Sequence, residues 1–304
     1  TYCITPLSFR GCEKAFVSLW YIERVLTVIT IDIGATRVGS GFGEWDKHTN
    51  PLYVEETPDS KDALITLLQR HIEELVSIAR SADREVRCAA FGLPGWVDEK
   101  GYLADSPHTS FKGLNIEAEL ADTAEFPFVI ENDASAQAVG CAQGSETLCY
   151  IALGTGIGGA TIDSGSLVEG ANGFAGEVGH VPVMGSNRLC SCGKKGCLET
   201  LASGEALQKD LGKSWWNRSL SSDEKRRLEE AGEAVGEAAS TMAALNDPAR
   251  IVVSGHLTSQ DSFLRCMKES WNHPWTDCSL ETYQDTWQFA REGLTKLARG
   301  AAKK

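Results

Sequence analysis

Three cysteines, Cys190, Cys192 and Cys197, fall within eight residues, and His180 stands ten residues before the first, in the stretch GHVPVMGSNRLCSCGKKGCLET of residues 179–200. Thiolates beside an imidazole make a zinc ligand set. Four protein ligands close a tetrahedral shell, so such a metal would be structural rather than catalytic. Gly193 and Gly196 let the backbone wrap an ion. The spacing C-x-C-x4-C is not the common finger spacing, and a packed group of free thiols is the alternative. A redox pair is disfavoured, because that chemistry uses C-x-x-C.

Two glycine turns raise a second chemistry. From residue 27 the chain reads TVITIDIGATRVGSGFGEWD, in which Asp32, Gly34 and Thr36 form D-x-G-x-T. From residue 149 it reads CYIALGTGIGGATIDSGSL. The run GTGIGG, residues 154–159, formally fits G-x-G-x-x-G. That motif binds dinucleotides only where it opens a helix. Here Thr161, Ile162 and an Asp-Ser-Gly turn follow, so the expectation is a hairpin. Its bare amides at Gly154 and Gly156, with the Thr155 hydroxyl, suit a phosphate. An acid such as Asp32 beside phosphates makes sense if Mg²⁺ lies between them.

The elements that must position these residues alternate. Both glycine turns sit between apolar, β-branched runs, so each reads as strand, tight turn, strand, and the pair suggests a duplicated α/β architecture. Between them, Leu64, Leu67, Leu68, Ile72, Leu75 and Ile78 recur at helical spacing. VRCAAFGLPG reads as a buried strand, FPFVIEN as a short one, and DASAQAVGCAQG as an Ala-rich helix. A long helix spans SSDEKRRLEEAGEAVGEAASTMAALN, with Leu228, Val235, Met242 and Leu245 expected inward and Gly232 and Gly236 allowing close packing. RIVVSG is a further strand, and the C-terminal stretch reads as helix.

Composition narrows the class. A chain of 304 residues with 42% hydrophobic content supports a large core. The net charge of −13 argues against a nucleic-acid surface. No apolar run reaches the roughly 18–20 residues of a membrane helix. The other seven of the ten cysteines, Cys3 and Cys12 among them, are scattered without regular spacing. No segment reads as a signal peptide, so a reducing, cytoplasmic setting is expected. Residues 1–25 fit no element and are taken as an extension of unknown status.

DIGAT with VGSG, then FGLPGWVD, ENDASAQAVG, LGTGIGG, GANGFAGEVGH and CSCGKKGCLET occur in that order. Together they resemble the ROK family of bacterial sugar kinases, which includes glucokinases, N-acetylmannosamine kinases and sugar-responsive repressors. The resemblance covers about residues 26–257 and is most specific from GANGFAGEVGH to GCLE. It implies a two-lobed, actin-like and hexokinase-like ATPase fold with duplicated ribonuclease H-like domains, a cleft between them and an inserted zinc loop. Residues 26–131 would form the smaller lobe and residues 132–286 the larger. Residues 287–304 would form a helix packing back on the first lobe.

The resemblance also implies roles. Asp133 matches the catalytic base. Asn132, Glu177, His180, Glu199 and Gly95 match the sugar side. Asp32, Gly34 and Thr36 match the first phosphate loop, Gly154, Thr155 and Gly156 the second, and Gly255 the adenosine side. His180 would touch sugar and hold zinc through its other nitrogen. ATP, Mg²⁺ and a structural Zn²⁺ are the implied cofactors, a small sugar the partner, and a homodimer the expected assembly. The bottom-up reading agrees for Asp133: it follows a strand and begins a helix, whose N-terminus favours the ionised form. A plain N-cap aspartate is the alternative.

The chain departs from the family pattern at several positions. His108 stands where many members carry Asn in a Pro-Asn-Leu run, Ser135 follows END-Ala in place of Asn, and His256 follows a single glycine. The link between Gly204 and the helix near residue 225 also looks short. Four functions follow. The first is an ATP-dependent kinase acting on a hexose or N-acetylhexosamine hydroxyl, at C6 by expectation. Glucose, N-acetylmannosamine, N-acetylglucosamine, allose and fructose all stay open as its sugar. The second is a regulator, which would need a DNA-binding module that about 25 leading residues do not supply. The third is an inactive sugar-binding protein. The fourth is a polyphosphate-dependent kinase, for which no basic track exists.

Overall fold

The fold is described by a computed structural model over residues 27–43, 51–98, 100–271 and 277–301. The extension of residues 1–25, with Cys3 and Cys12, lies outside them.

β1 (Thr27–Ile33) and β2 (Arg37–Phe42) form the first hairpin, and β3 (Tyr53–Glu56) adds an edge. α1 (Lys61–Ser81) follows, capped by the Ser60 side chain, which accepts from the Ala63 amide. β4 (Val86–Leu93) runs parallel to β1. A small antiparallel sheet of β5 (Trp96–Val97), β6 (Tyr102–Asp105) and β7 (Leu114–Asn115) precedes the short α2 (Ile116–Glu119). β8 (Phe128–Asn132) completes a five-stranded sheet, β3-β2-β1-β4-β8, and leads into α3 (Asp133–Cys141).

The second half repeats the plan. β9 (Leu148–Leu153), β10 (Ile157–Asp163) and β11 (Ser166–Leu167) form an antiparallel meander. α4 (Glu199–Ala202), α5 (Gly204–Leu211) and α6 (Ser222–Asn246) come next. β12 (Arg250–Ser254), α7 (Asp261–Ser270), β13 (Ser279–Tyr283) and α8 (Trp287–Ala301) complete the described chain. This sheet runs β11-β10-β9-β12-β13, with β12 parallel to both β9 and β13. Order and strand directions match the first sheet, as the two glycine hairpins led us to expect. The run 154–159 closes a hairpin and opens no helix.

Layering follows from side-chain alternation. In β1, Ile29, Ile31 and Ile33 face Leu64, Leu68, Ile72 and Leu75 of α1. Val28, on the other face, packs with Ala136 of α3 and with Leu294 and Ala298 of α8. Each fully buried Leu or Ile here contributes about 1.5–3 kcal/mol of transfer free energy. α6 and α7 cover the outer face of the second sheet. Gly232 and Gly236 lie against the Phe263 and Met267 carbonyls of α7, so their lack of a Cβ sets that helix distance. The expected inward Leu245 is 79% exposed. Its reason is length: Gly236 already meets the end of α7 at Met267 and Trp271, so the last turn of α6 runs beyond its partner helix.

His71 of α1 is fully buried with both ring nitrogens occupied, Nδ1 at 2.9 Å from Ser40 Oγ and Nε2 at 2.9 Å from Glu55. The Ser-His-Glu order resembles a hydrolase triad, but Ser40 is itself fully buried. The group ties β2 and β3 to α1.

α3 and α8 lie side by side between the two sheets. A Cβ on Gly140 would strike the Phe289 carbonyl, and one on Gly293 would strike that of Ala136. Gly140→Ala is therefore expected to cost about 1–3 kcal/mol by overpacking, despite the better helix propensity of Ala. Gly300→Ala, near the end of α8, meets open space and should stay within about 0.5 kcal/mol of the parent. Urea denaturation of the two variants checks this; equal midpoints would refute the close crossing.

Candidate active site

The C-terminal ends of β1, β4 and β8 bring two acids together. Asp32 pairs in register with Gly92, and Gly92 with Glu131. Asp133 follows at the first position of α3. A Cβ on Gly92 would lie 3.0 Å from Asp32 Oδ1 and 3.5 Å from Asp133 Cα, so this glycine leaves the gap between the two carboxylates open. The helix cap is Asn132 rather than Asp133. Asn132 Oδ1 accepts from the Ser135 amide at 2.9 Å, while its Nδ2 donates to the Gly95 carbonyl at 2.9 Å. Asp133 is thus free of capping duty, and its Oδ1 accepts from the Ala134 amide at 2.8 Å.

Burial, not the helix terminus, dominates the charge state of Asp133. Desolvation raises its pKa to about 6, against backbone hydrogen bonds and the nearby His108 that lower it. Asp32 is pushed to about 8 by burial and then by the charge of Asp133. Its Oδ1 is shut off from solvent with no hydrogen-bond partner among the described residues. A buried orphan carboxylate oxygen beside two glycine turns fits a Mg²⁺ ligand.

The second turn lies against the other wall. Gly204 and Glu205, at the start of α5, donate their amides to the carbonyls of Gly154 and Thr155 at 2.9 and 3.0 Å. Gly255, where β12 ends, donates to the Tyr283 carbonyl, and a Cβ there would strike Leu153 beside that turn. On the first turn, the Gly34 amide donates to Arg37, Thr57 Oγ1 donates to the Gly34 carbonyl, and Thr36 is exposed. A cleft of about 470 Å³ opens here, lined by Ala35 and Thr155 from the two turns and by Asp59, His108 and Glu205.

Glu177 and Glu199 face the same region. Burial pushes Glu177 to about 7; a bond from the Trp96 side chain lowers it, and the charges of Asp133 and Glu199 raise it. Burial would also raise Glu199, but the bonds from His108 and the Ile157 amide outweigh that and hold it below the usual range. Trp96 packs at a tilt against Phe174, ring centroids 5.6 Å apart, and edge-on against His180 at 6.4 Å. Sequence reading missed this aromatic wall and the His108–Glu205 contact. Trp96 lies inside a motif already noted, whereas no spacing rule reaches the 97 positions from His108 to Glu205.

The cysteine loop folds as a knot of short bridges, Pro182 with Cys197 and Leu189 with Lys195. His180 Nδ1 and Cys190 Sγ stand 3.5 Å apart, and Cys192 Sγ and Cys197 Sγ 3.6 Å. The four ligand atoms lie within 4.8 Å of one another. Tetrahedral Zn–S bonds of about 2.3 Å place sulfurs about 3.8 Å apart, so the set fits Zn²⁺. The three cysteines are free thiols. Burial and then the neighbouring thiols drive Cys197 up to about 12, a repulsion that a cation would reverse. His180 turns Nδ1 to this cluster.

Among the described residues no helix is long and apolar enough to cross a membrane. The sequence pattern that defines the ROK family matches residues 28–302. The chain belongs to the ROK family. It is 27% identical over 203 residues to a glucokinase of Halalkalibacterium halodurans, covering 62% of this chain and 58% of the relative. It is 33% identical over 193 residues to a xylose repressor of Caldicellulosiruptor bescii, covering 60% and 47%. The chain thus spans under two thirds of the length of these curated relatives. In three dimensions it is similar to a ROK family glucokinase from Streptomyces griseus in complex with glucose and AMPPNP. The TM-score is 0.75 at 24% identity over 90% of this chain and 99% of that one, a likeness of fold. This ROK chain carries the α/β, actin-like architecture that its motifs implied.

Proposed function

We propose that this ROK protein is an ATP- and Mg²⁺-dependent sugar kinase that transfers the γ-phosphoryl group to a hydroxyl of a hexose or N-acetylhexosamine, with Asp133 as general base. One observation carries the reading: across Gly92, Asp133, poised near 6, faces an Asp32 oxygen that has no hydrogen-bond partner among the described residues, beside the glycine turns. Phosphoryl transfer asks mainly for positioning and charge neutralisation. The turns at Gly34–Thr36 and Gly154–Gly156 would cradle phosphates, and Gly255 the adenosine side. Asp32 would hold Mg²⁺, which would supply neutralisation of the phosphate charge. Asn132, Glu177, His180, Glu199 and the Gly95 backbone would hold the sugar hydroxyls. Asp133 takes the proton from the attacking hydroxyl. The cysteine loop would hold a structural Zn²⁺, and that would fix His180.

A base must be ionised to accept a proton. Because burial raises Asp133 to about 6, kcat/KM should fall about tenfold per unit as pH drops below that value. A pH–rate profile flat down to pH 5 would refute the assignment. ADP release with MgATP across a panel of hexoses and N-acetylhexosamines tests the activity itself. The repressor relative favours a second reading, a sugar-binding regulator without turnover. Sugar-induced thermal stabilisation with no ADP release would select it.

A further inference from the structure

His108 is absorbed by none of the roles above. It sits in a braced turn after β6. The Ser106 hydroxyl donates to the Pro94 carbonyl at 2.6 Å and lies 2.6 Å from Thr109 Oγ1, and the Thr109 amide donates to the Ser106 carbonyl. From this turn the imidazole crosses to the second half of the chain. Nε2 lies 3.1 Å from Glu199 Oε2 on α4, and Nδ1 lies 2.9 Å from Glu205 Oε2 on α5. Glu199 Oε2 also accepts from the Ile157 amide at 3.0 Å. A Cβ on Gly156 would lie 2.5 Å from His108 Nε2 and 2.6 Å from Glu199 Oε2, so the bridge lies directly on the second turn.

We propose that His108 is a positioning residue, an imidazolium that bridges Glu199 and Glu205 and thereby holds the sugar-side acid and the second turn against the opposite wall of the cleft before a substrate arrives. The positioning role rests on the sugar-kinase reading; the bridge itself does not. Two ionised carboxylates accept only, so both bonds require N–H at both ring nitrogens, which the imidazole has only when protonated. Neutral imidazole keeps one donor. Glu199 is the more buried acid, at 12% side-chain exposure against 42% for Glu205, so loss of the proton releases Glu205, which keeps Lys209 at 2.6 Å. Asp133 acts on His108 through its charge, and Asp59 lines the same cleft.

The hydrogen bond to Glu199 leads the effects that raise the His108 pKa, against an opposing burial cost. The sign follows: the bridge stabilises fully below the free histidine value of about 6.5 and is lost as pH rises through the higher folded value. In Glu205→Gln the amide can donate to the neutral ring, so the bridge no longer needs the proton.

Histidine-selective NMR titration of the wild type, with the His108 signal identified by its loss in His108→Asn, tests the bridge without any turnover. The expected midpoint lies above about 6.5 and falls in Glu205→Gln. An ordinary midpoint unmoved by Glu205→Gln overturns the bridge. Calorimetry with glucose, N-acetylmannosamine, N-acetylglucosamine, allose and fructose then tests positioning. His108→Asn should weaken the tightest-binding sugar about 10- to 100-fold, and Glu205→Gln should flatten the loss of affinity at alkaline pH. An intact bridge with unchanged sugar affinity in His108→Asn overturns the positioning role. Binding of none of these five sugars by the wild type overturns that role together with the sugar reading, while the titration still decides the bridge.

Discussion

Replacing Asp133 with Asn is expected to lower kcat on the accepted sugar by about 10²- to 10⁴-fold with little change in sugar KM. The variant keeps the shape of the side chain and an oxygen for the Ala134 amide, whose bond to Asp133 Oδ1 is 2.8 Å. It does not disturb the start of α3, because Asn132 caps that helix. What it removes is the ability to take a proton. Stability should hold or rise. A carboxyl that binds its proton more tightly folded than unfolded costs stability as pH rises above the unfolded value, and Asp133 also raises Asp32. Single-turnover kinetics with thermal melting separate the outcomes. Activity within tenfold of the parent, in a fully folded variant, would remove Asp133 from the chemistry.

Cys192→Ser carries the second large effect. Serine fills the same space but supplies no thiolate, and zinc affinity should fall at least about 100-fold. Metal analysis should find about one zinc per parent chain and none in the variant. The loop from His180 to Glu199 should loosen, with a fall in Tm of about 5–10 °C. The damage should be lopsided. Glu199 follows Cys197 by two residues and His180 is itself a ligand candidate, so KM should rise for sugar far more than for ATP. The two glycine turns proposed for the phosphates are strand hairpins outside the loop. Equal effects on both substrates would contradict a floor role for the metal, and a zinc-free parent chain would end the assignment of His180, Cys190, Cys192 and Cys197 as zinc ligands.

Much of this protein can be read without coordinates. The glycine turns at Asp32–Thr36 and Gly154–Gly156 are hairpins because β-branched strands flank them, and Thr161 and Ile162 after GTGIGG continue as a strand. Helix α1 follows from leucines at helical spacing. The thiols of the cysteine loop lie close because two glycines and a short separation leave the chain little choice. These features depend on neighbours a few residues away, where steric limits and periodic burial act alone.

The tertiary structure decided the rest, because desolvation and charge pairing depend on which distant segments meet. Sequence pattern points to a helix start that favours an ionised Asp133; burial opposes that and lifts the pKa to about 6. Asp32 Oδ1, without a partner among the described residues, is buried where three strands end beside one another. Leu245 keeps the period of its helix yet stays exposed, since α6 outruns α7. His108 meets Glu199 and Glu205 across 91 and 97 residues, a closeness created by packing the two halves and written in no local spacing.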